Sequence, residues 1–349
     1  MGVDLFLAYR KRKIPMFVIR HVLFNATCDL PQPYNKIGDG PESPEVYLIG
    51  EGIRQIADQR NLLNLSVRSG KYLTKSLVNL ERLLECLPQL ITHVGTHGKF
   101  SWIQLANGFS IWLTYGMSGS IKYEAGKHAH LEFITDHPTQ PHFYYDDSRN
   151  FGNVVIALTP AQLKLKLASF GYDLMNPIPL SDVEYLRQCR RWNQTNICKF
   201  IMDQKVICGP GNYFKAEALY QCRISPYAIL KDLNDSHLVA LYQSMRDIAR
   251  RSYQARGASL YTYSGTQREK GAFQDTLQVY GKAYDPLGNP VIKVDNTPDH
   301  RTTHYVPVRQ TEGLPPPPSN SPPIRITLRR PKLEIKLKVV LSRSKENEN

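Results

Sequence analysis

The sequence of 349 residues is 42% hydrophobic, which is enough to bury the core of two domains or of one domain with appendages. No run approaches the roughly 18 to 20 uninterrupted apolar residues of a membrane span, which argues against an integral membrane protein and leaves a peripheral role open. The formal net charge of +13 favours polyanionic partners such as nucleic acids, because neutralised phosphates release condensed counterions.

The six cysteines are scattered along the chain, and no two of them form a C-x-x-C pair. They predict neither a disulfide framework nor a zinc knuckle. A reducing, intracellular location fits this pattern best, and in a eukaryote we expect the protein to be nuclear. Residues 1–40, with a basic cluster at 10–13, form an extension of unknown role, which leaves organelle targeting open.

The first predicted element is a helix that opens at Ser43 and Pro44. Serine is a common N-cap, and proline is tolerated in the first helical turn. Apolar residues recur at helical spacing in this segment, so one face of the helix should be buried. The residues of this face are Val46, Ile49, Ile53 and Ile56.

A β-hairpin is predicted over residues 100–115. Two alternating segments flank Asn107-Gly108, the dipeptide that best satisfies the positive φ angles of a two-residue turn. Further strand-like runs follow at 130–135, 142–145 and 154–158. We expect residues 41–165 to form a helix-flanked β-sandwich.

The second half of the chain has a mainly helical pattern. Ser181 and Glu184 form a capping box, and apolar helical faces continue between residues 186 and 248. Short strand-like pieces return at 279–310, and a proline-rich, basic tail at 311–349 is expected to be disordered. Its positive charge is expected to add sequence-independent affinity for nucleic acid, with the docking of a partner as the alternative. The predicted fold class is therefore α+β.

Residues 41–46, PESPEV, resemble the opening segment of the formamidopyrimidine glycosylase and endonuclease VIII family, in which the proline is the mature amino terminus. The resemblance implies that Pro41 is the nucleophile, because its amine can form an iminium with the opened sugar, and that Glu42 is the acid/base. A Ser-Pro pair that only caps a helix is the alternative for this short motif taken alone.

Two further segments of the first domain extend the resemblance. Gly98-Lys99 and, after the hairpin, residues 116–120 (GMSGS) are similar to the family's lysine-bearing strand and glycine loop. Lys99 is thereby implied to hold the phosphate beside the damaged nucleotide. Lys71 is a rival by local sequence, but only Lys99 leads directly through the hairpin into the glycine loop.

Residues 147–152, DSRNFG, resemble the family's Asp-x-Arg-x-Phe-Gly loop. Family members fill the gap left by an extruded base with a Met, an Arg and a Phe, and Met117, Arg149 and Phe151 match these in order. An isolated Met or Phe is more often a core residue, but three matches in the right order favour the functional interpretation.

Residues 203–219 resemble the family's helix–two-turns–helix signature, which implies that residues 180–260 are the DNA-binding domain. The Gly-x-Gly turn lets the backbone approach DNA, and the amides at the start of the next helix form an anion site. Asn212 directly follows this turn, so its side chain is implied to be an added donor to phosphate.

Residues 261–310 resemble the β-hairpin finger of these proteins, which normally holds zinc with four cysteines. Val306 and Arg309 stand where two of the ligands would be, and residues 282–291 contain no cysteine, which excludes a four-thiolate site. We therefore expect a zincless finger, no metal and no cofactor. Arg301 is implied to reach the phosphates that flank the flipped nucleotide, with an ordinary strand-end arginine as the alternative.

Two histidines raise a separate question about metal binding. His128 and His130 share one face of a predicted strand, which is a spacing that metal sites use. No cysteine or third histidine is placed to complete a site. We interpret both as surface residues.

The resemblance implies a base-excision-repair enzyme. Its activity would be that of a bifunctional DNA glycosylase and AP lyase, which removes oxidised bases, mainly pyrimidines, and cleaves the strand by β/δ-elimination. Residues 41–165 would be the catalytic domain, damaged DNA is the expected partner, and the protein is expected to be a monomer.

The residues before Pro41 depart from the family pattern, because an amide-bound proline nitrogen cannot form an iminium. Three alternatives follow. Residues 1–40 are absent from the active form, another nucleophile such as Lys99 acts, or the chain is a catalytically silent damaged-DNA-binding homologue.

Overall fold

The computed structural model describes residues 40–257 and 273–314 of the chain. Most of the predicted extension (1–39), the first part of the predicted finger (261–272) and the tail from residue 315 onward lie outside the described residues.

The first helix, α1 (Ser43–Ala57), buries the face that the sequence predicts. Its N-cap, however, is Glu42 and not Ser43 as predicted. The reason is that Glu45 Oε2 accepts a hydrogen bond from the backbone N–H of Glu42 at 3.0 Å, and this contact makes Ser43 the first helical residue. The start of α1 therefore lies directly at the predicted acid/base.

Eight strands form a sheet in the order β5-β7-β6-β1-β2-β3-β4-β8. β1 and β2 pair at only two positions, so the sheet consists of two four-stranded halves. Both halves and α1 contribute side chains to one buried core, and the predicted helix-flanked β-sandwich is confirmed. The strands are β1 (Asn61–Val67), β2 (Gln89–His97), β3 (Phe100–Leu105), β4 (Ser110–Thr114), β5 (Gly119–Lys122), β6 (Ala129–Thr135), β7 (His142–Asp147) and β8 (Asn153–Ala157). A 3₁₀ helix (Gly70–Leu73) and α2 (Leu80–Cys86) separate β1 from β2, and α3 (Pro160–Ala168) follows β8.

The predicted hairpin is formed by β3 and β4, which pair antiparallel from Phe100 opposite Thr114 to Gln104 opposite Ser110. Gly108 has a φ of +88°, in the left-handed region that glycine adopts without a steric cost. The side chain of Asn107 accepts a hydrogen bond from the backbone N–H of Phe109 at 3.0 Å. The turn chemistry read from the sequence thus sets this connection.

The second half of the described chain is mainly helical, as predicted. Its first long helix begins at the predicted capping box, where the Ser181 hydroxyl accepts from the N–H of Glu184 and the Glu184 carboxylate accepts from the N–H of Ser181. The helices pack around a second, separate core. The elements are β9 (Tyr172–Asp173), α4 (Asp182–Arg191), α5 (Ile197–Met202), β10 (Ile207–Cys208), α6 (Asn212–Gln221), a 3₁₀ helix (Leu230–Asp232) and α7 (Asp235–Gln254).

The described part of the finger contains α8 (Phe273–Thr276) and the antiparallel pair β11 (Ile292–Val294) and β12 (Thr303–Tyr305). The buried carboxylate of Glu217 in α6 accepts hydrogen bonds from the backbone N–H groups of residues 278, 279 and 280 at 2.8–2.9 Å. These contacts fasten the chain before the hairpin to α6.

The predicted tail boundary at residue 311 is wrong by at least four residues. Glu312 donates its backbone N–H to the carbonyl of Arg223, and its own carbonyl accepts from Ser225, both at 3.1 Å. Backbone pairing with the helical domain therefore keeps residues 311–314 in the fold.

Within residues 40–257 and 273–314, we find no helix with the length and apolar character needed to cross a bilayer. In the same ranges, no group of three or more His, Cys, Asp or Glu side chains is arranged to hold a metal ion.

Candidate active site and DNA-contacting surface

The predicted acid/base, Glu42, lies where the beginnings of α1 and α6 meet. Its side chain is 2% exposed, and its Oε1 accepts a hydrogen bond from the backbone N–H of Tyr213 at 3.0 Å. The Tyr213 hydroxyl in turn lies 3.3 Å from both carboxylate oxygens of Glu45. A buried network of polar groups from both domains thus fixes the position of Glu42.

Lys99 reaches the same point from the turn between β2 and β3. A β-carbon at position 211 would lie 2.5 Å from Nζ of Lys99 and 2.6 Å from Oε1 of Glu42, which is closer than packed atoms approach. Any side chain at position 211 would displace one or both of these groups. The sequence predicts this glycine as a point of close approach to DNA, and the structure adds that it lets the carboxyl and the amine converge.

Burial changes the proton affinities of these two groups in opposite directions. It raises the pKa of Glu42 to about 8, although the nearby positive charge of Lys99 opposes the shift. It lowers the pKa of Lys99, which the negative charge of Glu42 opposes. The positive charge of Arg301 also lowers the pKa of Lys99. A carboxyl that keeps its proton near neutral pH is suited to donate a proton to a sugar oxygen.

A cavity of about 230 Å³ opens beside this pair. Pro41, Lys99, Tyr115 and Gly116 are among its lining residues, so the predicted nucleophile and the predicted phosphate ligand share one space. Gly40, which precedes Pro41, has a φ of +87°, and a β-carbon there would lie 2.8 Å from Cα of Met117. The Gly40–Pro41 peptide therefore packs directly on the glycine loop.

Asp173 holds the turn that presents Lys99, and the sequence analysis did not identify it. Its Oδ2 accepts hydrogen bonds from the backbone N–H of Gly98 at 3.0 Å and from the hydroxyl of Tyr47 at 2.6 Å. Asp173 is separated from Gly98 by 75 positions, and no local pattern marks it. Only the tertiary fold brings it to this turn.

The rival lysine lies elsewhere. Lys71 Nζ donates a hydrogen bond to the carbonyl of Gly152 at 2.5 Å and contacts the carbonyl of Asn150 at 3.4 Å. It therefore supports the 149–152 loop, and Lys99 is the lysine that lies beside Glu42.

Met117, Arg149 and Phe151 come together on a separate surface, which we call the void-filling surface after its predicted role. Nη1 of Arg149 lies 3.6 Å from Sδ of Met117, and Phe151 is 64% exposed. Gly116 connects this surface to the cavity, since a β-carbon there would lie 2.6 Å from the carbonyl carbon of Phe151. Exposure on the surface excludes the core interpretation for Phe151.

One buried carboxylate organises the backbone beneath the void-filling surface. Asp147 Oδ1 accepts from the Ser118 hydroxyl and lies 3.3 Å from the backbone nitrogen of Arg149. Its Oδ2 accepts from the backbone N–H of Gly152 at 2.7 Å. Asp147 thus joins the glycine loop to the loop that carries Arg149 and Phe151.

Asn212 and Arg301 lie together at the junction of α6 and the finger. Asn212 is the first residue of α6, and its Nδ2 donates to the backbone carbonyl of Thr302 at 3.0 Å. Arg301, the preceding residue, is exposed. In this state Asn212 holds the finger, and it stays a prediction that the same side chain donates to phosphate.

Val306 and Arg309, which stand where the family has zinc ligands, make packing and polar contacts instead. Val306 is fully buried, and Nε of Arg309 lies 4.0 Å from Oδ2 of Asp285. Asp285 also accepts hydrogen bonds from the Tyr220 hydroxyl at 3.0 Å and from the backbone N–H of Asn289 at 2.7 Å. These contacts connect the two ends of the hairpin to α6.

The prediction that His130 is a surface residue is wrong. His130 is buried, and its ring lies 3.0 Å from the Ser69 hydroxyl and 2.6 Å from the carbonyl of Asp147. Both ring nitrogens therefore have polar partners inside the protein, and the residue serves the packing of the first domain.

Comparison with known proteins agrees with this geometry. Residues 40–154 match the model of the formamidopyrimidine-DNA glycosylase N-terminal domain, and residues 178–264 match that of the formamidopyrimidine-DNA glycosylase H2TH domain. The formamidopyrimidine-DNA glycosylase of Pelotomaculum thermopropionicum is 28% identical over 285 residues, which cover 77% of this chain and 99% of the relative. That of Pediococcus pentosaceus is 26% identical, covering 76% and 98%.

Solved structures show the same fold. A Lactococcus lactis Fpg mutant in complex with a DNA that contains Fapy-dG matches with a TM-score of 0.67 and 22% identity, covering 77% of this chain and 99% of that one. The MutM (Fpg) protein of Thermus thermophilus matches with a TM-score of 0.66 and 23% identity, covering 78% and 100%. The two family models together cover more than half of the chain, and the chain belongs to the formamidopyrimidine-DNA glycosylase and endonuclease VIII family of DNA glycosylases.

Proposed function

We propose that this protein is a bifunctional DNA glycosylase and AP lyase that removes oxidised bases, mainly pyrimidines, from DNA. The observation that carries the proposal is the buried carboxyl of Glu42, whose pKa is raised to about 8, beside Lys99, which lines one cavity together with Pro41. Burial keeps a proton on this carboxyl near neutral pH, and an amine and an acid at one site are what the reaction requires.

The reaction begins with the nitrogen lone pair of Pro41, which attacks C1′ of the damaged nucleotide as the bond from C1′ to the base breaks. The departing base takes up a proton. The proline nitrogen, now bonded to C1′, loses its proton, and Glu42 gives its own proton to O4′. The C1′–O4′ bond then breaks with its electron pair on O4′, and the nitrogen lone pair forms the C=N bond of the iminium. Loss of a proton from C2′ then expels the 3′ phosphate, a second elimination expels the 5′ phosphate, and water releases the amine.

DNA binding rests on the positive groups at the cavity and on the void-filling surface. Lys99 and Arg301 hold the phosphates beside the flipped nucleotide, and Asn212 adds a donor when the finger meets DNA. Met117, Arg149 and Phe151 occupy the gap that the flipped base leaves in the stack. The Lactococcus lactis Fpg, whose fold this chain shares, has been solved in complex with DNA that contains an abasic site.

The second candidate function is that of a damaged-DNA-binding homologue without lyase activity. The peptide bond between Gly40 and Pro41 favours it, because an amide nitrogen cannot form the iminium. A bifunctional enzyme that uses Pro41 as its nucleophile therefore requires a form in which Pro41 is the amino terminus.

Borohydride trapping separates these two functions. The full chain and a form that begins at Pro41 are each incubated with DNA containing an abasic site or thymine glycol, with sodium borohydride added to reduce any iminium. We expect only the form that begins at Pro41 to be trapped, with the DNA attached to Pro41 in peptide mapping, and to cleave the strand. If neither form is trapped, the lyase is refuted. Binding without base excision would then show the binding homologue, and excision without trapping would show a purely hydrolytic glycosylase.

The substrate class is tested with the same form. We expect excision of thymine glycol to exceed excision of 8-oxoguanine in duplexes of the same sequence. Equal or reversed rates would contradict the preference for oxidised pyrimidines.

The finger is proposed to fold without zinc, because the contacts among Asp285, Arg309 and Tyr220 stabilise the base of the hairpin. Prolonged dialysis against a chelator should then leave both the melting temperature and the affinity for abasic-site DNA unchanged. A loss of either that added zinc restores would contradict a zincless finger.

A further inference from the structure

The exposed residue Arg301 lies in a tightly held loop between β11 and β12, residues 295–302. The Thr297 and Thr303 hydroxyls donate to its backbone carbonyl at 3.1 and 3.2 Å. His300, directly before it, has a φ of +55°, a strained backbone for a residue other than glycine. Such a conformation persists only where the surrounding contacts impose it, so the placement of Arg301 depends on what anchors this loop.

One anchor is an ion pair that is fully removed from solvent. Lys215, the fourth residue of α6, has a side chain that is 0% exposed, and its Nζ is paired with Oδ2 of Asp299, whose side chain is 2% exposed. The free energy needed to remove two charges from water offsets much of the free energy of their attraction, so a buried ion pair adds little to stability. It does impose one geometry, because either charge without the other would be buried and uncompensated.

The second anchor comes from the same helix. Asn212 lies three residues before Lys215, on the same side of α6, and it holds the carbonyl of Thr302. The segment from Asp299 to Thr302 is therefore fastened to α6 at both of its ends, and Arg301 lies between the two contacts.

The first turn of α6 also positions the acid. Tyr213, the second residue of this helix, donates its backbone N–H to Glu42. A single helix thus carries the contacts that fix the catalytic carboxyl and those that fix the arginine of the finger.

We propose that Lys215 is a positioning residue, which acts through its buried ion pair with Asp299 to set where Arg301 meets a phosphate of the DNA. The inference rests on the proposed function, in which Arg301 is a phosphate ligand. Lys215 itself is inaccessible to DNA, so any effect it has on binding must pass through the loop.

A mutant cycle in the full chain tests this inference. Four proteins are compared: the wild type, Lys215→Met with Asp299→Leu, Arg301→Ala, and the combination of all three changes. The Met and Leu pair replaces the ions with apolar groups of similar size, a change that is often neutral for stability. The dissociation constant is measured by fluorescence anisotropy for a duplex with a tetrahydrofuran abasic analogue over a series of salt concentrations.

We expect Arg301→Ala and the ion-pair replacement each to weaken binding roughly tenfold, because each removes one charge-assisted contact to phosphate. Each should also lower the slope of log affinity against log salt by about one. The combined protein should bind no more weakly than Arg301→Ala alone. Lys231→Met, which removes an exposed lysine of the same domain, is the control for loss of one positive charge and should leave affinity within about twofold.

Additive losses in the combined protein, or wild-type binding by the ion-pair replacement, would overturn the positioning role and leave Arg301 as a phosphate ligand. Wild-type binding by Arg301→Ala would instead refute the phosphate contact itself, and the inference with it. A wild type that binds undamaged duplex as tightly as the abasic duplex would mark failure of the proposed function. If replacement of the pair prevents folding, Asp299→Asn takes its place in the same cycle. Lys215→Arg, which keeps a positive charge opposite Asp299, should retain part of the affinity that loss of the pair removes.

Discussion

The cluster of Glu42 and Lys99 and the void-filling surface are separated by the glycine loop, residues 116–120, yet they are built in opposite ways. At the cluster, Glu42 is 2% exposed and is held by groups from both domains. At the void-filling surface, Phe151 is 64% exposed, and the fixed part is the backbone beneath it, which Asp147 fastens. The proposed proton donor needs burial, because burial raises the pKa of its carboxyl, whereas the proposed replacement of a base in the stack needs an exposed side chain on a rigid backbone.

The comparison predicts that chemistry and binding can be separated by mutation. Glu42→Gln, measured in the form that begins at Pro41, should lower the single-turnover rate of base excision by about 10²- to 10⁴-fold, because the proton donor is lost. Affinity for abasic-analogue DNA should stay near the wild-type value, since the amide oxygen can still accept from Tyr213. A variant that excises at the wild-type rate would show that Glu42 is not the acid.

The backbone beneath the void-filling surface is tested by Asp147→Asn. All the described partners of this carboxylate are donors, so an amide places one donor against another. We expect the free energy of unfolding to fall by about 1–3 kcal/mol, measured by urea denaturation, together with a loss of affinity for abasic-analogue DNA.

Asp146→Asn is the matched control for this change. Asp146 is equally buried but pairs with Lys122 at 2.9 Å, away from the loop that carries Arg149. It should lower stability without changing affinity. An equal loss of affinity in both variants would mean that general destabilisation, and not the loop, determines binding.

The smallest effect is expected for the exposed side chain itself. Phe151→Ala should weaken binding to abasic-analogue DNA by roughly tenfold, because it removes the binding free energy of one stacking contact. Because the ring packs on little of the protein, the free energy of unfolding should change by less than about 0.5 kcal/mol. A large loss of stability with unchanged affinity would reverse the comparison and make Phe151 a structural residue.

Local patterns were sufficient for the elements and for much of the site. Helical spacing identified the buried face of α1, Asn107-Gly108 identified the hairpin, and the order of the family motifs identified Glu42 and Lys99, which the structure brings together at Gly211. The identity of the N-cap was missed because Ser43 has the better propensity, while the contact from Glu45 decides where the helix begins.

Contacts between distant residues could not be read from the sequence. The Lys215–Asp299 pair spans 84 positions and the contact of Tyr213 with Glu42 spans 171. Neither has a local signature, since a lysine within a helix is normally solvated. His130 is a similar case, because its burial depends on Ser69 and Asp147, which lie on other segments.

The most direct test of the account is the pH dependence of single-turnover base excision by the form that begins at Pro41. Burial raises the pKa of Glu42 from its ordinary 4.5 to about 8, and the protonated carboxyl is the form that donates to the sugar. Protonation of the Pro41 amine slows wild type and Glu42→Gln alike towards acidic pH, so the informative quantity is the ratio of their rates. This ratio should stay constant from pH 5 to about pH 8 and then fall about tenfold per unit. A ratio that already falls above about pH 5, or that does not fall above about pH 8, would contradict the claim that burial makes this carboxyl the acid.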